Sequence, residues 1–174
     1  MSGGWIWGKL PAHGDFVARG LSSQRRDELD TWLSASLAEA RAVLGDAFEA
    51  SYGEAPPWRF AWTDTGGWTA GAMAPSMDSV ERRYPLLVAR DGLMPEQAGL
   101  VAEAAEDLLY DALGEGWDAD RLHQAVAALP PAAGDAPARQ GWWTLGAERF
   151  SERRLAGARP EGLMVAALTP QAST

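Results

Sequence analysis

Lys9 follows Gly8, and a glycine–lysine pair closes the loops that cradle nucleotide phosphates. Leu10 stands where such a loop holds magnesium with Ser or Thr, and no G-x-G-x-x-G follows a strand, so the pair is not read as a nucleotide site. His13 and Asp15 form an H-x-D pair, yet the chain has only one other histidine, His123, and no third ligand at a recognisable spacing. His13 is therefore expected to hydrogen-bond loop backbone. Ser76, ahead of Asp78, lacks the G-x-S-x-G elbow of a hydrolase nucleophile, and Pro75-Ser76-Met77-Asp78 reads as a turn whose side chains bond their own backbone. A small hydrolase using the His13, Asp15 and Ser76 loops is the alternative that such residue types leave open. What remains is a set of charges among aromatics and prolines: Lys9, Asp15 and Arg19 in one loop, Arg59 beside Trp58, and Asp78, Arg82 and Arg83 in another, where Ser76 is a further candidate. Arginine beside aromatic rings and carboxylates can stack and make bidentate pairs. These residues either pin two long loops to the body of the protein, Asp15 pairing with Arg59 or Arg82 for example, or form a recognition patch. No catalytic residue, metal or cofactor is assigned.

Composition narrows the partners. Fifteen Lys and Arg face 24 Asp and Glu, a net charge of −9, which repels phosphate backbones and anionic lipid. Protein is the favoured partner, a basic one above all, with neither nucleic acid binding nor membrane insertion expected. Cysteine is absent, which removes disulfides and thiol chemistry and suits a reducing compartment. The opening MSGGWIWGKL has no charged segment followed by an apolar one, and no apolar run approaches the ~20 residues of a membrane span, so a cytoplasmic location is expected. Nine of the 16 aromatics are Trp, an excess that predicts either a Trp-heavy core or a half-exposed docking face.

The elements that must position these residues follow from periodicity. Trp5–Lys9 is predicted as a strand and Leu10–Leu21, with Pro11, Gly14 and Gly20, as a loop. A helix capped by Ser22 or Ser23 carries the stripe Leu29, Trp32, Leu33, Leu37, Ala40 and Leu44 and stops at Gly45. Ser51–Pro57 is predicted as a loop. Trp58–Trp62 is a strand with Arg59 and Ala61 on the face opposite its aromatics, and the Asp64–Gly67 turn folds Trp68–Ala74 back as a hairpin. Pro75–Arg83 is an irregular loop and Pro85–Ala89 a buried strand. A second helix starts at Pro95 and ends at Gly114 or Gly116, and a third is capped by Asp118. Pro130–Gly141 is expected to be a mobile loop, with strands at Trp142–Leu145 and Leu163–Leu168 beyond it. The sum is an α+β fold over residues 1–174, one domain, with a central, mostly antiparallel sheet of about six strands and three main helices.

Several motifs in order resemble a known family. Gly8-Lys9-Leu10-Pro11-Ala12-His13-Gly14-Asp15-Phe16-Val17, Arg19-Gly20-Leu21, Asp30-Thr31-Trp32-Leu33, Pro57-Trp58-Arg59-Phe60, Gly71, Pro75-Ser76-Met77-Asp78-Ser79-Val80 and Arg82-Arg83-Tyr84-Pro85-Leu86 resemble the TagF family of bacterial type VI secretion. The match covers roughly residues 5–90, with Trp142-Trp143 and Arg159-Pro160 echoing it further on. Glu81 stands where that family tends to have Gly, and Tyr84 where it tends to have Phe. The resemblance implies an α/β sandwich related to longin-like domains. It implies a cytoplasmic, post-translational repressor of secretion that engages a forkhead-associated scaffold protein. It carries over no catalytic residues.

Overall fold

The structure, a computed structural model, describes residues 3–129 and 139–171. Most of the predicted Pro130–Gly141 loop lies outside them. Seven strands form one antiparallel sheet: β1 (Gly4–Gly8), β2 (Val17–Arg19), β3 (Trp58–Asp64), β4 (Gly67–Ala74), β5 (Leu86–Leu93), β6 (Gly141–Thr144) and β7 (Arg153–Leu155), in the order β2-β1-β5-β4-β3-β6-β7. Five helices pack on it: α1 (Ser23–Leu44), α2 (Phe48–Glu54), α3 (Pro95–Glu115), α4 (Ala119–Ala127) and α5 (Leu163–Leu168). The mixed fold with its antiparallel sheet is as the sequence predicts. No helix among the described residues is long and apolar enough to cross a membrane.

Strand alternation sends side chains to two different cores. One face carries Trp5, Trp7, Trp58, Phe60, Met73, Leu87 and Trp142 against α1, α2 and α5. The other carries Ile6, Ala61, Ala70, Ala72, Ala74, Leu86 and Val88 against α3 and α4. α3 answers the alanines of β4 with its own Ala98, Ala102, Ala105 and Ala112, so helix and sheet approach closely. Bulky aromatics fill the opposite layer. Five tryptophans (Trp5, Trp7, Trp58, Trp142 and Trp143) are buried and the other four only half-buried, so the Trp excess builds the core and no exposed Trp cluster forms.

The caps fall where turn chemistry puts them. Ser22 Oγ accepts the Arg25 N–H, Asp118 accepts the Arg121 N–H, and Gly116 closes α3 in the left-handed region. Four segments differ from expectation. The first loop contains β2, a three-residue edge strand paired with β1. The predicted Ser51–Pro57 loop is mostly α2, which ends ahead of the Pro56-Pro57 pair. Arg153–Leu155 adds β7. Leu163–Leu168 is a helix, not a strand: Leu163, Met164, Ala167 and Leu168 fall on one helical face and bury against α1.

Candidate partner-binding surface

β1 and β5 are sheet neighbours, and so are β4 and β5, which brings the loop after β1 beside the loop between β4 and β5. Gly8 opens the first loop with φ 135°, and a Cβ there would fall 2.0 Å from the Pro85 carbonyl, so the close approach needs glycine. The loops then lock together. Ser79 donates its N–H to the His13 carbonyl at 2.8 Å, Arg82 Nη2 donates to the Gly14 carbonyl at 2.7 Å, and Ser76 Oγ donates to the Lys9 carbonyl at 2.7 Å.

Asp78 is the hub. It is 1% exposed, and its Oδ2 meets Lys9 Nζ at 3.2 Å and Arg82 Nε at 2.8 Å. Its Oδ1 accepts the backbone N–H groups of Arg82 (2.9 Å) and Val80 (3.1 Å). Burial alone would raise its pKa; the bonds from the Arg82 backbone, Lys9, the Arg82 guanidinium and the Val80 backbone outweigh that and hold the carboxyl well below the usual range. The tight turn that wraps this carboxylate puts Glu81 at φ 65°, the sole non-glycine residue at positive φ among the described residues.

Over this charged floor lies an aromatic platform. Phe16 stacks on Trp7 with ring centroids 5.1 Å apart and meets Tyr84 edge-on at 4.8 Å, and Lys9 Nζ sits 4.8 Å from its ring centre. Trp7 Nε1 donates to Tyr84 Oη, and Tyr84 donates to Asp30 of α1 at 3.0 Å, which anchors the platform to the helical layer. Burial pushes the Tyr84 hydroxyl pKa up, so it stays a donor. On the two locked loops, Phe16 is 41% exposed, Val80 64%, and the Arg82 side chain 60%. Aromatic residues and arginine are enriched at protein interfaces, and here a ring and a guanidinium are held in place by a buried ion-pair cluster.

The sequence candidates divide accordingly. Lys9, Ser76, Asp78 and Arg82 converge, and Arg83 lies next to them, paired with Glu49 at 2.6 Å beside the Tyr52 ring. Asp15 does not pair with Arg59 or Arg82; it is exposed and accepts the Phe16 N–H. Arg59 points to the other face of the sheet and pairs with Glu106 of α3 at 3.0 Å. Arg19 pairs with Asp120 of α4, and Trp58 is buried in the aromatic core. His13 Nε2 accepts the Ala119 N–H at the start of α4, as expected of a histidine that bonds backbone. His13, Asp15 and Ser76 are each engaged elsewhere, and no hydrogen bond joins any two of them among the described residues. Gly3 stands five residues before Gly8, at phosphate-loop spacing, but the residues from Gly4 to Gly8 form strand β1 and Lys9 is held by Asp78. No group of three or more metal-ligating side chains occurs among the described residues.

Residue typing missed a second, half-buried polar centre at the far end of β5. Asp91 accepts both Arg25 Nη atoms (2.6 and 2.8 Å), Thr69 Oγ1 (2.7 Å) and Trp5 Nε1 (3.1 Å). It lies where the pairing of β4 and β5 shifts register, a feature with no local sequence signal. Phe16 and Val80 were visible in the motifs but carry no charge to single them out.

The profile of a family described as TagF N-terminal domain, type VI secretion system-associated, matches residues 4–129, which contain both locked loops. The crystal structure of PA0076 from Pseudomonas aeruginosa PAO1, at 2.05 Å resolution, superposes with a TM-score of 0.77 at 28% identity, covering 95% of this chain and 94% of that one. The likeness thus extends past α4, through the strands and helix that complete the sheet. No curated protein sequence matches the chain.

Proposed function

We propose that this chain, which belongs to the TagF family of type VI secretion-associated proteins, is a post-translational negative regulator of that system that acts by binding a forkhead-associated scaffold protein in the cytoplasm. The observation that carries the reading is the cap of Phe16, Val80 and Arg82 raised on the Lys9–Asp78–Arg82 clamp. Preorganised loops lose little freedom on docking, which favours affinity. The reading needs no bond-making step, and Ser76, His13 and Asp15 are left to their structural bonds.

Titration calorimetry of the purified chain against the forkhead-associated scaffold of its own secretion system tests this. Phe16→Ala and Val80→Asp should each weaken binding by about tenfold or more, the scale of an interface anchor, with circular dichroism unchanged. Arg82→Glu should do the same through charge. A scaffold that ignores the unmodified chain defeats the function. Wild-type affinity in all three variants defeats this surface.

A further inference from the structure

A second exposed surface has the opposite character. α3 carries six acids (Glu96, Glu103, Glu106, Asp107, Asp111 and Glu115) and no basic residue. Glu106 is paired with Arg59, and Glu115 with Arg121 at 3.8 Å and with Trp117 Nε1. Glu103, Asp107 and Asp111 have no cationic partner among the described residues, and all three are exposed. They are spaced at i and i+4, so each stands over the next along the helix, and like charges so placed destabilise a helix. The chain retains that unfavourable column with no internal compensation.

Beside the column lies an apolar groove of about 370 Å³, lined by Leu109, Tyr110 and Leu113 of α3 and by Pro57, Ala74 and Pro75 at the ends of β3 and β4. This is the lower end of the size range of binding pockets, suited to an anchoring side chain or two. Tyr110 is 60% exposed and lies on the groove side of the column, about one turn after Asp107. Burial first, then the charge of Glu106, raises the pKa of its hydroxyl; Arg59 opposes this and Asp107 adds to it.

We propose that the groove of Leu109, Tyr110 and Leu113, with the Glu103–Asp107–Asp111 column as its rim, docks a cationic amphipathic segment of a partner protein. Apolar side chains of that segment fill the groove, and its lysines or arginines neutralise the column. An anionic partner, whether nucleic acid or acidic lipid, is repelled by the same rim. The surface is distinct from the Phe16–Val80–Arg82 cap and stands or falls independently of it.

The probe is a 14-residue leucine–lysine amphipathic peptide, LKKLLKLLKKLLKL, with its leucine–glutamate counterpart as control, titrated by fluorescence anisotropy and mapped by amide chemical shifts. The lysine peptide should shift amides over 103–115 and at Ala74, and the glutamate peptide should not. The combined Glu103→Gln, Asp107→Asn, Asp111→Asn variant should lose about tenfold or more in affinity, as expected when close charge pairs are removed, and Tyr110→Ala should weaken binding too. Glu39→Gln, Asp46→Asn, Glu161→Gln removes equal charge from other exposed sites and should change affinity less than about twofold, the limit of screened long-range attraction. Equal losses in the two triple variants, or shifts confined to another face, overturn the proposal. So does a dimer of the free chain in analytical ultracentrifugation that the α3 triple variant dissociates, since the occupant is then a second copy. Phe16→Ala should leave peptide binding intact.

Discussion

Lys9 Nζ and Asp78 Oδ2 meet 3.2 Å apart in a site almost closed to solvent, joining the end of β1 to the loop between β4 and β5. Asp78 is held by four donors, so its loss orphans Lys9 and frees two backbone N–H groups together. Lys9→Met should cost about 1–3 kcal/mol, the range for unpairing a buried polar group, because Arg82 still satisfies the carboxylate. Asp78→Asn should cost more. The folded-state pKa of Asp78 is depressed, so its stabilising effect is present above the unfolded carboxylate value near ~3.9 and is lost as pH falls through the lower folded value. Urea unfolding at pH 6 and at pH 3 should show a smaller drop for Asp78→Asn than for the unmodified chain; an equal drop refutes the assignment.

Asp91 plays the corresponding part at the other end of the sheet. Burial raises its pKa, but the bonds from Arg25 and Thr69 outweigh that and leave it lowered. Asp91→Ala leaves Arg25, Thr69 and the Trp5 indole without their acceptor and should cost about 2–4 kcal/mol, as expected when a paired charge loses its partner. Thr69→Val removes one bond of the set and should cost about 1 kcal/mol. Two thermal melts are enough to rank them, and a costlier Thr69→Val reverses the reading of Asp91 as the hub.

Ser36 fixes the helix that sequence periodicity misplaces. Its buried Oγ accepts the Met164 N–H at 2.9 Å, supplying a partner for one of the free donors in the first turn of α5. Ser36→Ala should cost about 1–2 kcal/mol and speed amide exchange across Leu163–Leu168 more than across α3. Uniform exchange across both helices speaks against this docking role.

The contrast between α5 and the hairpin marks where local sequence carries the answer. The Asp64–Gly67 turn and the alternation of Trp58, Arg59, Phe60 and Ala61 specify β3 and β4 by local chemistry, and both appear as expected. Leu163–Leu168 is six apolar residues, short enough to be strand or helix, and only its seat on α1 decides. β2 and β7 are three-residue edges that exist because β1 and β6 offer free backbone. At the site, the residue types of Lys9, Asp78 and Arg82 were legible, but their pairing was not. Arg59 and Arg19 found acids on α3 and α4, 47 and 101 positions away. That choice depends on strand order, which residue type alone does not encode.

Glu81 completes the turn that wraps Asp78, at φ 65°, where a side chain is unfavourable. The turn needs a left-handed residue, the conformation that glycine adopts most readily. Glycine takes that conformation without the Cβ penalty of roughly 1–2 kcal/mol, and part of the gain is offset by its greater freedom when unfolded. Glu81→Gly should therefore stabilise the chain by about 0.5–1 kcal/mol, whereas Glu81→Val, β-branched, should destabilise it by about 1–2 kcal/mol. Because the Val80 and Arg82 amides must stay on Asp78, Glu81→Val should also broaden the Phe16 and Val80 resonances. A valine variant as stable as the unmodified chain would show that the turn can relax, and the rigidity argued for the cap above it would be lost.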